Sequence, residues 1–225
     1  MPDDQWQPDH VASATPIPIL AANGLVPGAL KITGPDADLA KLKTYMTAVI
    51  SRAAKLKIET LVFGSGAARQ VPDGFDRAKA KEQILAFVKM AAPIAEQHKV
   101  LLVVEHLNYK ECNIVNTVAE AMEYVKAVNS PAVQCLVDSY HFWLNNEPLS
   151  ELKKAMGSIR HVHLADLDGR TPPGESGKAD YRPFFAVLKE AKYTGPICVE
   201  ALDFGDISIV GPRVLEFIRK QWNEA

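Results

Sequence analysis

The sequence predicts an α/β protein built on a parallel sheet of six strands. Three observations carry this. Six short apolar runs, PIPILAANGL, ETLVFGSG, VLLVVEHLN, VQCLVDSYH, IRHVHLADL and PICVEAL, end on polar residues or glycine, which is the pattern of strands buried on both faces. Longer amphipathic stretches separate them. The runs begin about 27 to 45 residues apart, which leaves room for a strand, a loop, a helix and a turn, and so for right-handed crossovers between parallel neighbours.

The elements follow in order. Residues 1–15 carry two prolines and no apolar period, so they read as a tail, with His10 in it, ahead of a single domain over 16–225. Residues 36–57 place Leu39, Leu42, Tyr45, Met46, Val49 and Ile50 at helical spacing, with Asp36 as the expected N-cap. Residues 76–98 repeat the pattern with Ala80, Ile84, Phe87, Val88, Ala91 and Ile94, and Asp76 after Gly74 is the expected cap. Thr117 and Glu120 have the spacing of a capping box before a helix carrying Met122, Val125 and Val128. Shorter helices are expected over 148–156, 181–192 and 212–222. The turn Tyr193-Thr194-Gly195-Pro196 leads back to the last strand.

Composition narrows the function classes. The chain has 225 residues, 48% apolar and 23% charged, which suits one barrel-sized soluble domain with a large core. Lys and Arg total 25 against 27 Asp and Glu, a formal net charge of −2, which argues against a phosphate backbone as the main partner. Cys112, Cys135 and Cys198 form no Cys-x-x-Cys pair, and their odd number suits a reducing compartment. No run approaches the ~18 apolar residues of a membrane span. The acidic start MPDDQWQPDH lacks the regions of a secretory signal. The expected setting is cytoplasmic, with no membrane partner and no nucleic acid.

The strand ends carry the chemistry. Glu105, Asp138, His163 and Glu200 fall at the C-terminal edges of four consecutive strands. In a barrel those edges converge on one face, where active sites form. Singly, each fits a polar residue capping the loop that follows. Four in succession, after strongly apolar strands, fit ligands, because buried carboxylates without a partner are costly. Oxygen donors with one imidazole and no thiolate suit Mn²⁺, Mg²⁺, Co²⁺ or Zn²⁺.

Other polar residues read more plainly. His161, two before His163, shares its face and reads as a core residue. His106 points the opposite way, toward the helices. His98 sits where a helix C-terminus favours positive charge. Cys135 and Cys198 lie within strands. Phe142 and Trp143 fit either a pocket wall or burial under a loop. Gly64-Ser65-Gly66 lacks the Lys-Ser/Thr of a phosphate-binding loop, and with Arg69 it is a weak candidate for a sugar hydroxyl or phosphate site.

The segments VVEHLNYKECNIVNT, LVDSYHFW, HVHLADLDGRTPPGESGKADY and GPICVEAL together resemble the xylose-isomerase-like TIM-barrel sugar isomerases and epimerases. The ketose 3-epimerase and hydroxypyruvate isomerase branches are the most similar, over about Ile17 to Leu202. The resemblance implies a TIM-type (β/α) barrel and one divalent metal, Mn²⁺ or Mg²⁺ first, held by Glu105, Asp138, His163 and Glu200. It implies that Glu105 and Glu200 exchange the substrate proton from opposite faces, and that Glu111, His141 and Arg170 bind substrate. Arg170 lies one residue further from His163 than in the epimerases, although the run Gly-Arg-x-x-Pro-Gly resembles the hydroxypyruvate isomerase branch. The chemistry agrees: a proton α to a carbonyl becomes removable when a metal stabilises the developing enediolate, and a carboxylate on each face allows inversion.

In such a family the quartet falls on strands five to eight, so an eight-stranded barrel lacks its first two β/α units here. The expected fold is therefore an incomplete barrel of six strands. Its open edges call for a cover, either the N-terminal tail laid over the gap or a second copy, a homodimer being expected. The substrate expected is a sugar or small keto acid. A lyase of the inosose dehydratase kind would use the same residues, and a weakened binding protein is a further alternative. An endonuclease IV-like enzyme resembles the chain at Glu105, Asp138, His141, His163 and Glu200. It needs more His and Asp ligands than the stretches at Phe63-Gly64-Ser65 and after Arg170 provide.

Overall fold

The computed structural model describes residues 17–225. The expected tail over 1–15, with His10, lies outside them. Six strands form one sheet in the order β1-β2-β3-β4-β5-β6, with parallel pairing, as expected for a six-stranded member of the (β/α) barrel class. They are β1 (Ala21–Ala22), β2 (Thr60–Phe63), β3 (Leu101–Glu105), β4 (Val133–Asp138), β5 (Ile159–Leu164) and β6 (Ile197–Val199). β1 is much shorter than its apolar run suggests. Pro18 has no N–H to give a ladder, and the pairing is confined to Ala21↔Thr60 and Ala22↔Leu61, led in by Leu20 O accepting from the amides of Glu59 and Thr60 at 3.0 and 3.1 Å.

Two compact units divide the described chain. The first comprises the residues up to Val104 with Cys112–Ile114 and Tyr124–Gln134. In it, α1 (Leu39–Lys55) packs on α3 (Arg77–His98), burying Met46, Ile50, Ile84 and Phe87. The cap of α1 is Asp38 rather than Asp36. Asp38 Oδ1 accepts from the amides of Ala40 and Lys41 at 3.0 Å, while Asp36 lies in the turn that the Ala37 amide closes on Gly34 O. Asp76 caps α3 as expected, and His98 closes it.

The glycine-rich turn after β2 leads into the short α2 (Gly66–Arg69) and is structural. Ser65 Oγ accepts from the Val26 amide at 3.0 Å. Arg69 is fully buried, donates to Phe63 O at 2.9 Å and lies 5.2 Å from the Phe63 ring. The weak phosphate or hydroxyl reading of this turn is therefore set aside, because its polar groups serve the fold.

The second unit comprises Glu105–Glu111, Val115–Glu123 and Cys135–Ala225. α4 (Val118–Val128) opens with Thr117 Oγ1 accepting from the Glu120 amide at 3.1 Å, and Glu120 Oε2 reaches the Asn116 amide at 2.6 Å, one residue earlier than a regular capping box. The run VQCLVDSYH does not stay extended. Asp138 Oδ1 accepts from the Tyr140 amide at 2.7 Å and starts α5 (Ser139–Leu144). α6 (Leu149–Ala155) and α7 (Arg182–Glu190) match expectation within a few residues. α8 (Ile207–Glu224) begins five residues before the expected 212, since Asp206 caps it through the Ser208 amide at 2.9 Å and Pro212 is carried inside. Tyr181, Phe184, Phe185 and Leu188 form the apolar layer of α7, with Trp222 of α8 against Phe185 at 5.4 Å.

Candidate metal centre

Each proposed ligand is delivered by the end of a strand. Glu105 is the last residue of β3, Asp138 the last of β4, and Glu200 follows β6 directly. The β4–β5 register sets Asp138 opposite His163. Apolar residues before them, such as Val103, Val104, Leu136, Val137 and Val162, are buried at 0% exposure and fix the strands in the core. One ligand atom from each of Glu105, Asp138, His163 and Glu200 lies within 4.8 Å of the others, and this is the one such cluster among the described residues. His163 Nδ1 stands 3.1 Å from Glu105 Oε1 and 3.3 Å from Glu200 Oε2.

The three expected substrate-binding residues converge on the same cluster. Arg170 Nη2 lies 2.8 Å from Glu200 Oε2 and 3.6 Å from Asp138 Oδ2, and Arg170 Nη1 lies 3.3 Å from Glu111 Oε1. Its guanidinium sits 4.9 Å from the Tyr140 ring. His141 Nε2 is 3.7 Å from Asp138 Oδ2 and 3.9 Å from Glu111 Oε2. All seven residues singled out from the sequence thus meet in one place, within the second unit.

The electrostatics are those of an anionic site held with two cations. Burial, then the charges of Glu105 and Glu200, push the Asp138 carboxyl well above the usual range, against His163 and Arg170. Burial acts the same way on Glu200, but its hydrogen bond and charge interaction with His163, and then Arg170, hold it below its ordinary value. Burial opposes a charge on His163; the hydrogen bonds and charges of Glu105 and Glu200 outweigh it and hold the imidazole at about 11. Burial, Arg170 and His106 push His141 down to about 2, so its ring is neutral.

These residues fit a divalent cation. The donors are hard oxygens and one imidazole. Asp138 Oδ1 is spent on capping α5, while its buried Oδ2 has no hydrogen-bond partner.

Several residues that sequence reasoning passed over support the centre. Asp166, fully buried after β5, accepts from the amides of Gly174 and Ser176 at 3.1 Å, from Ser176 Oγ at 2.6 Å and from Tyr181 Oη at 2.8 Å. It ties down the loop that carries Arg170. Ser139 Oγ braces the end of β5 through the Ala165 amide at 3.2 Å. The available signal was the Asp that ends HVHLAD before a Gly/Ser-rich loop. His161 is buried edge-on to His163 at 5.0 Å, and burial with the His163 charge holds it down to about 4; it is a core residue, as expected. His106 is buried with its Nε2 3.2 Å from Glu147 Oε1, just ahead of α6. Phe142 is core. Trp143 packs on Tyr181 at 4.9 Å and borders a cavity of about 500 Å³ along the Leu167–Asp180 loop, whose lining includes none of the seven site residues.

A quartet of metal-type ligands at the C-terminal ends of parallel strands defines a barrel-class β/α protein with a candidate divalent-metal centre. The chain belongs to the xylose isomerase-like TIM barrel family, whose model matches residues 14–219. It is 25% identical over 189 residues to a D-psicose 3-epimerase of Agrobacterium fabrum, covering 81% of this chain and 64% of that protein. It is 27% identical over 164 residues to a Mus musculus protein provisionally named a hydroxypyruvate isomerase, covering 69% and 58%. The chain therefore spans less than two thirds of these relatives. In fold it is similar to a 3-keto-D-glucoside 4-epimerase from E. coli, with a TM-score of 0.82 at 19% identity, covering 95% of this chain and 84% of that one. No described helix is long and apolar enough to cross a membrane.

Proposed function

We propose that this protein is a divalent-metal-dependent isomerase or epimerase of a sugar or small hydroxy-keto compound. The observation that carries the reading is the pair Glu105 and Glu200, which approach one imidazole nitrogen of His163 at 3.1 and 3.3 Å from strands that are not neighbours. Two carboxylates so placed suit proton exchange on two faces of a substrate carbon. Glu105, Asp138, His163 and Glu200 would hold the metal, with Mn²⁺ or Mg²⁺ favoured and Co²⁺ or Zn²⁺ admissible. When bound, such a cation polarises a substrate carbonyl and lowers the cost of removing the adjacent proton.

The remaining steps belong to the chain. One glutamate takes the proton from one face and the other returns a proton to the opposite face; exchange with solvent resets the pair. Arg170 donates to substrate oxygens and balances the carboxylates. Neutral His141 donates from Nε2, and Glu111 accepts from a substrate hydroxyl. The relatives named as epimerases and isomerases support this class of substrate. A lyase reading uses the same first proton removal and then loses a hydroxyl, so product analysis separates the two. The single four-residue cluster among the described residues gives no support to a three-metal nuclease site.

The test is elemental analysis of the purified protein together with a ketose epimerisation screen, with and without Mn²⁺, on wild type and Glu200→Gln. Bound divalent metal, metal-dependent turnover and loss of both in the variant are expected. A wild type without divalent metal, and a variant unchanged in metal content and stability, overturn the reading. Metal without turnover on any ketose favours the binding-protein alternative. A second copy covering an open sheet edge is the proposed assembly, and three cysteines that form no disulfide suit a reducing, cytoplasmic setting. A solution mass of twice 24.6 kDa is expected, and a monodisperse monomer overturns the dimer.

A further inference from the structure

Asn108 is buried at 1% exposure between the end of β3 and α4, and its amide is fully committed. Asn108 Oδ1 accepts from the backbone amides of Lys110 at 3.0 Å and Glu111 at 3.2 Å. A backbone N–H can only donate, so the oxygen end of the amide is fixed on that side. The other end, Nδ2, lies 2.8 Å from Glu111 Oε1 and 2.8 Å from His141 Nδ1. An ionised carboxylate only accepts, so the partner on that side too requires the amino group. The two N–H bonds of Nδ2 are then both used, one on Glu111 and one on His141 Nδ1. A nitrogen that accepts a hydrogen bond carries no proton, which leaves the single proton of the neutral ring on Nε2.

That second nitrogen points the other way. His141 is fully buried, and its Nε2 has no hydrogen-bond partner. Its nearest carboxylate oxygens are Asp138 Oδ2 at 3.7 Å and Glu111 Oε2 at 3.9 Å, both beyond hydrogen-bond length. A buried N–H without an acceptor is costly, and it is relieved by an oxygen placed between those groups.

We propose that Asn108 is a positioning residue that fixes His141 as an Nε2–H donor and at the same time locks the Glu111 carboxylate, so that the site presents one dedicated donor beside one dedicated acceptor. The substrate oxygen that meets His141 must then offer a lone pair, a carbonyl or hydroxyl oxygen used as acceptor. The oxygen that meets Glu111 must carry a hydrogen. A compound with a carbonyl next to a hydroxyl meets both demands. This last step rests on the isomerase reading above; the ring tautomer does not.

The experiment is two-bond ¹H–¹⁵N correlation spectroscopy on protein labelled with ¹⁵N-histidine, recorded without substrate between pH 6 and 8, with His141→Gln to assign the signal. The expected wild-type pattern is an unprotonated Nδ1 and a protonated Nε2 across the range. Asn108→Asp, which replaces the donor with an acceptor of the same shape, should move the ring to the Nδ1–H tautomer or to the imidazolium. Asn108→Gln should restore part of the wild-type pattern if its longer amide reaches the ring. A wild-type His141 protonated at Nδ1 overturns the proposal without any variant, and so does an Asn108→Asp protein whose His141 pattern is unchanged. If Asn108→Asp does not fold, the wild-type spectrum still decides. Turnover is not read, so the role of Asn108 is decided even for a protein that fails every epimerase assay.

Discussion

Arg170 donates to Glu200 across 2.8 Å, and the same nitrogen stands 3.6 Å from Asp138. One guanidinium thus serves two of the four proposed metal ligands. Arg170 itself holds a left-handed backbone conformation, φ 51°, right after Gly169 at φ 73°. The turn aims its side chain back over the strand ends.

Removing that charge should therefore destabilise the metal-free protein more than the metal-loaded one. Arg170→Met is expected to cost about 2–3 kcal/mol in chelator, because it strips a mostly buried partner from two carboxylates. Much of that loss should return with Mn²⁺. Denaturant titrations under both conditions check it; an equal loss in each would show that Arg170 acts through packing alone.

Metal uptake should release protons. The folded value of Asp138 lies above its ordinary one, so its protonated form contributes stability that is complete below the usual carboxylate range. That stability is lost as pH rises through the folded value. A cation on Asp138 has to displace this proton, so its affinity should fall about tenfold for each pH unit below that value, for each proton released. Calorimetry in two buffers of different protonation enthalpy measures the release, and identical heats would contradict it.

Glu147 supplies a pH effect within the same unit, beside His106 and outside the four proposed ligands. Burial raises its carboxyl to about 7, and Glu151 and Glu120 add to this, while the Val118 amide bond at 2.8 Å opposes it. The folded value lies above the ordinary one, so stability carried by the protonated form is full below about 4.5 and fades as pH rises through about 7. Glu147→Gln keeps an acceptor for Val118 and removes the buried charge. It should gain about 1–3 kcal/mol over wild type at pH 8 and almost nothing at pH 4. Thermal melts at the two pH values decide, and a pH-independent gain would point elsewhere.

Asp166→Asn should loosen the Arg170 loop. The carboxylate accepts four hydrogen bonds from Gly174, Ser176 and Tyr181 partners through one buried group, and the amide would turn a donor toward donors. A loss of about 2–3 kcal/mol is expected. Hydrogen exchange over 167–181 should accelerate while β4 and β5 remain protected; unchanged exchange in the loop would rule out the anchor.

Much of the candidate site was legible because its proposed ligands follow buried strands directly. Glu105, Asp138 and Glu200 stand out after LLVV, VQCLV and PICV, since acids that close several buried runs in succession fit a shared site better than separate caps. Arg170, His141 and Glu111 were reached by resemblance rather than by pattern. The parts that were not legible depend on partners distant in sequence. Asn108 looks like any loop asparagine until His141 lies against it, and Asp166 gains meaning only when the loop folds back. Local ambiguity cost less. Asp36 and Asp38 are equally good caps on paper, but residues 34–37 form a turn and the helix starts only at Leu39, which leaves the role to Asp38. VQCLVDSYHFWL has no glycine or proline to mark where strand becomes helix, so the Asp138 cap that makes the switch was hidden inside an apolar run.

The four proposed ligands are spread so widely along the chain that synthesis itself sets an order of arrival. Glu105 emerges from the ribosome first, then Asp138 and His163, and Glu200 last. Until β6 takes its place beside β5, the growing polypeptide holds three of the four groups. The proposed centre therefore waits on β6 rather than seeding the fold, and a ribosome halted shortly before residue 200 would carry a nascent chain with three of the four proposed donors but an incomplete cage.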